Sequence, residues 1–153
     1  MAIPKILQGR LALPVIVSPM FLVSGPDLVV ACCTNGTLGT FPSLNQRTAR
    51  GFEEWLIQIK AALAAHDKEN PDTPAAPYGV NLIAHKSNTR LDEDLALVVK
   101  YEVPLVITSV GNPREIVKAV HAYGGLVFHD VTTVEWARKA ADAGVDGIIP
   151  VCA

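Results

Sequence analysis

The sequence has little of what nucleic-acid-binding, membrane and secreted proteins need. Its 13 Lys and Arg residues against 15 Asp and Glu residues give a net charge of −2, without a basic run that would attract phosphate backbones. The apolar stretch at residues 11–23 is interrupted by Pro14, Ser18 and Pro19, whereas a membrane helix needs about 18–20 uninterrupted apolar residues. The N-terminus lacks the charged and apolar regions of a secretory signal. We therefore expect a soluble, cytoplasmic protein that binds neither nucleic acid nor membranes.

The chain also lacks several familiar ligand-binding motifs. Its three cysteines are an odd number for a disulfide framework, and Cys32 and Cys33 are adjacent, without the C-x-x-C spacing of zinc sites. We expect buried thiols and no metal site. Gly36-x-x-Gly39 is not the G-x-G-x-x-G fingerprint, and no G-x-x-x-x-G-K-[ST] loop is present. The sequence therefore does not favour a Rossmann domain that binds a nicotinamide cofactor, or a P-loop protein that binds a nucleotide.

What the sequence does contain is an alternation of short apolar runs with longer segments of helical periodicity, which is typical of βα units on a parallel sheet. Five helices are predicted between the strands, and residues 1–153 are expected to form a single domain. The six predicted strands are residues 15–18, 37–40, 78–82, 105–108, 126–129 and 147–151.

Several helix starts are marked by capping residues. Ser24-x-x-Asp27, Thr89-x-x-Asp92 and Thr132-x-x-Glu135 fit capping boxes, and Asn112 before Pro113 predicts another N-cap. The carboxylates at residues 92–94 are interpreted as surface charges that interact with a helix dipole. In the long second helix an apolar stripe is predicted to face the sheet, formed by Phe52, Trp55, Leu56, Ile59 and Leu63.

Two α/β architectures fit this alternation, an open doubly wound sheet and a TIM-barrel type arrangement. A complete (β/α)₈ barrel typically needs about 250 residues, and this chain ends directly after its sixth predicted strand. A doubly wound domain would be expected to have a closing helix there. We therefore favour an incomplete barrel with about six strands present, and keep the doubly wound sheet as the alternative.

In both architectures ligands bind at the carboxyl ends of the strands. Asn81 is the most informative residue there, because an amide inside a buried run costs a few kcal/mol unless its donors and acceptors are satisfied, by a ligand or by neighbouring backbone. His129 and Asp130 are adjacent in a strand and should therefore point to opposite faces. The candidates at the strand ends are Pro19, Met20, Phe21, Phe41, Ser43, Asn81, His85, Lys86, Thr108, Ser109, His129, Asp130 and Cys152.

Four segments in order resemble the nitronate monooxygenase family, formerly called 2-nitropropane dioxygenases. They are Leu13-Pro-Val-Ile-Val-Ser-Pro-Met20, Asn35-Gly-Thr-Leu-Gly39, Tyr78-Gly-Val-Asn-Leu82 and Ala143-Gly-Val-Asp-Gly147. The resemblance covers the whole chain and implies an FMN-binding TIM barrel that oxidises alkyl nitronates with oxygen. On this basis residues 1–153 would be the N-terminal portion of such a barrel.

The resemblance also implies roles for individual residues. Pro19, Met20 and Phe21 would lie along the isoalloxazine ring of FMN, Asn81 would hydrogen-bond its polar edge, and Ile83 would contact the same ring. Asp130 is the remaining cofactor-binding candidate, at a position where some relatives carry a lysine, and a carboxylate there does not give the same cationic support. The family's catalytic histidine and its phosphate-binding loops would follow after Ala153, so no catalytic residue is assigned within the chain.

Other functions stay open at this stage. Relatives that are NAD(P)H-dependent reductases of quinones or enoyl thioesters offer one alternative. A phosphosugar or aldolase-type barrel without flavin would have to use Lys86 or His129. The third alternative is a non-catalytic fragment that assembles as a homo-oligomer. Unpaired strand edges of an incomplete barrel would favour such an assembly.

Overall fold

The computed structural model describes residues 4–151. The chain divides into two compact units, one up to Gly79 and one from Val80 onward. Six strands and five α-helices alternate along the described residues, which confirms the predicted α/β class. Within residues 4–151, no helix combines the length and the apolar character that crossing a membrane requires.

The first unit contains two parallel strands and two α-helices. These are β1 (Ile16–Val17), α1 (Pro26–Thr34), β2 (Leu38–Pro42) and α2 (Ala49–Glu69), with short 3₁₀ turns at Lys5–Leu7 and Ser43–Asn45. Ile16 pairs with Leu38 and Val17 with Gly39. The strand β3 (Gly79–Ile83) begins at the last residue of this unit.

Aromatic side chains of α2 and β2 form the core of the first unit. Phe41 contacts Phe52 and Trp55, with ring centroids 6.0 and 5.6 Å apart. Phe52, Leu56 and Ile59 are fully buried, so the central part of the predicted apolar stripe packs against the sheet as expected from its spacing.

The second unit continues from β3 through α3 (Leu91–Lys100), β4 (Leu105–Ser109), α4 (Arg114–His121), β5 (Leu126–Val131), α5 (Val134–Asp142) and β6 (Gly147–Pro150). The strands β4, β5 and β6 are parallel, with Thr108 opposite His129 and Asp130 opposite Ile149. Each strand from β4 to β6 lies beside the strand that precedes it in the chain. This sequential order is that of barrel-type βα units, and it lacks the reversal of a doubly wound sheet.

All six predicted strands are present, and the largest differences in length from the prediction are in the first and the fifth. The first is only two residues long and lies between Pro14 and Pro19, which have no N–H group to donate to a sheet. The fifth extends to Val131, and only alternate residues of β5 are buried. Asp130 therefore occupies the half-exposed face and does not end the strand.

The capping boxes at Ser24 and Thr89 are wrong. The hydroxyl of Ser24 accepts a hydrogen bond from the Met20 N–H at 3.0 Å and so holds the preceding loop, while α1 starts after Gly25 without a side-chain cap. The helix α3 also starts without a side-chain cap. Asn88 accepts from the Arg90 N–H in the turn before it.

The later helix starts agree better with the sequence. The capping position of α4 is Pro113, one residue after the predicted Asn112, and Asn112 accepts from the N–H of Arg114, the first residue of α4, at 3.0 Å. The cap of α5 is Thr133, one residue after the predicted Thr132, and its hydroxyl accepts from the Trp136 N–H. Thr48 caps α2 by accepting from the Gly51 N–H. Either threonine of a Thr-Thr pair can cap, so spacing to a downstream glutamate did not identify the correct one.

Asp94 corrects the interpretation of residues 92–94 as surface charges. Its side chain is fully buried, and both of its oxygens accept from Arg90 Nη2, at 2.8 and 3.0 Å. A charge this deep in the protein is stable only when it is paired and hydrogen-bonded. The pair therefore anchors the start of α3 in the second unit.

Asp94→Asn should lower the free energy of unfolding by about 3 kcal/mol, because it removes the negative charge from the Arg90–Asp94 pair. We expect the lower part of the usual range because the Arg90 side chain is 18% exposed. Urea denaturation measures the change. Asp92→Asn, at an exposed position of the same helix, is the control and should change the value by no more than about 0.5 kcal/mol. Equal effects of the two substitutions would contradict a structural role for the buried pair.

Candidate functional site

A hydrogen-bond chain connects the carboxyl ends of β3, β4 and β5. Asn81 Nδ2 donates to Ser109 Oγ at 2.7 Å and to the Ile107 carbonyl oxygen at 3.1 Å. The Ser109 hydroxyl in turn donates to Asp130 Oδ2. Asn81 is 7% exposed and Ser109 is 9% exposed. Three of the residues predicted at strand ends are therefore brought together by the sheet.

The direction of this chain follows from its chemistry. The Ile107 carbonyl can only accept, so the amide group of Asn81 must point its NH₂ toward β4. The Ser109 hydroxyl has one proton, which it uses to donate a hydrogen bond to the Asp130 carboxylate. Its oxygen therefore accepts from Asn81. Both amide protons of Asn81 are therefore used within the chain, and its Oδ1 has no hydrogen-bond partner among residues 4–151.

Beside the end of this hydrogen-bond chain lies a cavity of about 450 Å³, which we call the Asp130 cavity. Its size is within the range of small-molecule sites, and its lining is mainly apolar with a few polar groups, as in such sites. It lies at the ends of β4 and β5, where barrel-type proteins bind their ligands. The residues that line it are His85, Val110, Gly111, His129, Asp130, Val131, Thr132 and Trp136.

His85 presents a defined hydrogen-bond donor at this cavity. Its Nδ1 accepts from the backbone N–H of Ser87 at 3.2 Å and lies 2.8 Å from the Ser87 hydroxyl. A backbone N–H can only donate, so Nδ1 carries no proton, and the neutral ring carries its proton on Nε2. His85, which lines the same cavity as Asp130, therefore has an N–H donor on Nε2.

The loop after β4 brings its backbone close to His85. Val110 and Gly111 have φ angles of +56° and +86°, a left-handed conformation that is unusual for a β-branched residue. A Cβ atom at Gly111 would overlap the Ala84 carbonyl oxygen, so this position requires glycine on both counts. Sequence reasoning did not select Gly111, although the Gly-Asn-Pro turn at residues 111–113 marks the loop.

His129 lies on the opposite face of β5 from Asp130, as the alternation of strand side chains predicted. It is 5% exposed, and its Nδ1 lies 2.7 Å from Thr108 Oγ1 on the neighbouring strand. It also lines a second cavity of about 500 Å³ beside α5. Burial lowers the pKa of His129 below its ordinary value, and the nearby Asp130 charge opposes this effect only in part. The imidazole is consequently neutral near pH 7.

Three candidates of the first unit share one loop. Pro19, Met20 and Phe21 follow β1, and the side chains of Met20 and Phe21 are 38% and 66% exposed. Asn45 fixes this loop by donating to the carbonyl oxygens of Met20 and Ser24, at 3.0 and 2.8 Å. The loop therefore presents apolar side chains to the outside while its backbone is held in place.

The remaining candidates occupy different environments. Lys86 is exposed, and Ile83 is half-buried at the end of β3. Phe41 and Ser43 are fully buried in the first unit. Cys152 lies outside the described residues. Within the described part of the chain, no group of three or more His, Cys, Asp or Glu side chains could hold a metal ion.

The described cysteines are free thiols in different environments. Cys33 is fully buried, and its Sγ donates to the Pro77 carbonyl oxygen at 3.6 Å. Burial raises its pKa from 9.0 to about 11, so this thiol stays protonated near neutral pH and is unreactive. Cys32 is partly exposed. The expectation of a buried thiol is confirmed for Cys33.

The lowered pKa of His129 makes stability depend on pH in a defined direction. As the pH falls below about 6.5, the unfolded chain protonates at residue 129 before the folded chain does. The free energy of unfolding should therefore decrease, and level off below the folded-state pKa. In His129→Gln this contribution is absent, so the stability difference between the wild type and the variant should shrink between about pH 8 and pH 5.

Urea denaturation at several pH values measures that difference. The ion pair between His121 and Asp146, with Nε2 and Oδ2 2.9 Å apart, is present in both proteins, so its contribution cancels in the difference. A difference that stays constant with pH would show that His129 titrates alike in the folded and unfolded chains.

Comparison with known proteins gives both a sequence relative and related folds. No protein-family model matches the chain. A curated nitronate monooxygenase from Neurospora crassa is 29% identical over an alignment 161 residues long. The alignment covers 89% of this chain and 42% of the relative. The structure of FabK from Thermotoga maritima superposes with a TM-score of 0.76 at 21% identity, covering 95% of this chain and 42% of that one.

A third relative is the nitroalkane oxidase from Streptomyces ansochromogenes, with a TM-score of 0.74, 23% identity, and coverage of 95% of this chain and 48% of that one. The two structural likenesses show a shared fold. The chain spans less than half the length of all three relatives. Together with the four motifs in the sequence, these matches confirm that the chain resembles the nitronate monooxygenase family along most of its length.

Proposed function

We propose that this chain carries part of an FMN-dependent oxidoreductase that oxidises alkyl nitronates with oxygen. The similarity to a nitronate monooxygenase and to a nitroalkane oxidase supports this reaction class. The structural observation that carries the proposal is the buried amide of Asn81. It lies at the carboxyl end of a sheet, with its donors used and its acceptor open.

The open acceptor of Asn81 fits a flavin. Asn81 Oδ1 is not fully enclosed and has no hydrogen-bond partner among residues 4–151, so it is accessible to a ligand that donates a hydrogen bond. The imide N–H of an isoalloxazine ring is such a donor. Ile83 lies two residues further on the same strand face, where it would contact the apolar part of the ring.

The loop of Pro19, Met20 and Phe21 offers exposed apolar side chains on which a planar ring could stack. Methionine and phenylalanine side chains give polarisable and flat apolar contacts, and both are partly exposed in the first unit. The Asn45 hydrogen bonds hold the loop backbone, so little ordering entropy would be lost when a ring stacks on it.

Asp130 fits the cofactor in a more limited way. Its carboxylate accepts hydrogen bonds and carries negative charge, so it would not stabilise an anionic reduced ring. It remains a proposed cofactor contact as an acceptor only.

In the proposed mechanism, FMN would accept the electrons from the substrate when it is bound. The chain binds and orients the nitronate through the polar groups of the Asp130 cavity, where the His85 Nε2–H is a donor for a nitro oxygen. Val110, Val131 and Trp136 offer apolar surface to the alkyl group and exclude water. Oxygen is the second substrate.

A flavin-dependent reductase is the alternative within the same fold. Such an enzyme would use NAD(P)H with a quinone or an enoyl thioester, and the likeness to FabK supports the fold that both functions share. Supplying either NADH with a quinone or a nitronate with oxygen distinguishes the two. An aldolase-type reaction finds less support, because Lys86 is exposed and does not line the Asp130 cavity. Self-association through strand edges stays a prediction.

We expect the purified protein to retain FMN through gel filtration, with visible flavin absorption in the protein peak. Asn81→Ala should weaken FMN binding about fivefold, because one hydrogen bond contributes roughly 1 kcal/mol. Fluorescence titration with FMN gives both dissociation constants. Asn35→Ala, at an exposed position, is the control and should bind as the wild type does.

Thermal unfolding of each variant shows whether it is folded at the temperature of the titration. A wild-type chain that retains no FMN would contradict the proposed cofactor. A folded Asn81→Ala variant with unchanged FMN affinity would contradict the role given to the amide.

A further inference from the structure

A second cavity lies between the start of α4 and the helix α5. It has a volume of about 500 Å³, and the residues that line it include Arg114, His129, Trp136, Lys139 and Asp142. We infer that this cavity, which we call the Arg114 cavity, binds a small organic monocarboxylate that also carries a hydroxyl group. The hydroxyl group donates to His129 Nε2, and Arg114 binds the carboxylate. This inference does not depend on the proposed cofactor or reaction.

His129 presents a hydrogen-bond acceptor to the cavity. The Thr108 hydroxyl donates its one proton to the Phe128 carbonyl oxygen at 3.2 Å. Its oxygen therefore accepts from His129 Nδ1, which lies 2.7 Å away. Burial lowers the pKa of His129, so the ring is neutral near pH 7. A neutral ring that holds its proton on Nδ1 has a lone pair on Nε2.

This lone pair is open, although the residue that carries it is buried. His129 is 5% exposed, and Nε2 has no hydrogen-bond partner among residues 4–151 and is not fully enclosed. Buried polar groups of native proteins nearly always have a partner, so an open one calls for a ligand or an ordered water molecule. A hydroxyl group supplies the missing donor without adding charge.

Arg114 supplies the complementary cation. Its Nη2 donates to the Asp142 carbonyl oxygen at 3.3 Å, and the guanidinium group makes no ion pair among residues 4–151. The other donors of this planar group match the two oxygens of a carboxylate. Lys139 is already engaged, because its Nζ lies 2.7 Å from Glu135 Oε1 and 4.3 Å from the centroid of the Trp136 ring.

The other lining groups limit the charge and shape of the ligand. The Asp142 side chain also lines the cavity, and its carboxylate disfavours a ligand with two negative charges such as a phosphate monoester. The Trp136 indole gives the cavity a flat apolar wall. A hydroxybenzoate combines one negative charge, a hydroxyl group and a flat apolar ring. It therefore represents the ligand class that these residues recognise.

Calorimetric titration of the chain with benzoate, 3-hydroxybenzoate and 4-hydroxybenzoate, without added flavin, tests the inference. We expect at least one hydroxybenzoate to bind about fivefold more tightly than benzoate, which is the gain from one neutral hydrogen bond. Arg114→Gln should weaken the binding of all three acids at least about tenfold, because it removes the charge-assisted hydrogen bonds. Arg138→Gln, at an exposed position of α5 that does not line the cavity, is the control and should bind as the wild type does.

The variant His129→Phe identifies the acceptor. It should bind the hydroxybenzoate no more tightly than benzoate, while its affinity for benzoate stays that of the wild type. A merely structural role of His129 would weaken both acids alike. Nitrogen NMR of the imidazole ring gives a second readout in the wild type. The ring proton should be on Nδ1, and the Nε2 resonance should shift with the hydroxybenzoate but not with benzoate.

Circular dichroism shows whether each variant is folded. If His129→Phe does not fold, the hydroxyl preference of the wild type and the Nε2 resonance provide the test. The inference is overturned if none of the acids binds at millimolar concentrations, or if Arg114→Gln and Arg138→Gln bind alike. It is equally overturned if the hydroxyl group adds no affinity in the wild type, or if a folded His129→Phe variant retains the preference for it.

Discussion

The hydrogen-bond chain from Asn81 through Ser109 to Asp130 is the constraint on which the candidate site depends. Its direction is set by the Ile107 carbonyl, which forces the amide protons of Asn81 toward β4. The hydroxyl proton of Ser109 must then go to the carboxylate. This arrangement leaves an acceptor at one end, on Asn81, and a carboxylate oxygen at the other. Both open groups are products of one buried network.

The alternation of side chains along β5 gives its two faces different functions. Asp130 lies on the half-exposed face with the hydrogen-bond chain, while His129 is buried on the other face next to Thr108. Burial keeps the histidine neutral by lowering its pKa. A shift of one residue in the register of β5 would exchange the two groups and remove the carboxylate from the cavity.

Much of this organisation could be predicted from the sequence. The β-branched runs and their spacing identified the six strands, and the rule that ligands bind at strand ends selected Asn81, Ser109 and Asp130. The sequence did not reveal that these three residues bond to one another, because register decides which side chains meet. Nor did it show the buried Asp94–Arg90 pair, since helix spacing alone does not distinguish a buried carboxylate from a surface one. The left-handed backbone at Val110 was not predicted either, because β-branched residues rarely adopt this conformation.

A double-mutant cycle between Ser109 and Asp130 tests the central constraint most directly. The free energies of unfolding of the wild type, Ser109→Ala, Asp130→Ala and the double variant are measured by urea denaturation. A charge-assisted hydrogen bond predicts a coupling energy of about 1.5–3 kcal/mol. Additive effects, within about 0.5 kcal/mol, would mean that Ser109 does not hold the carboxylate, and would contradict the dependence of the site on this hydrogen-bond chain.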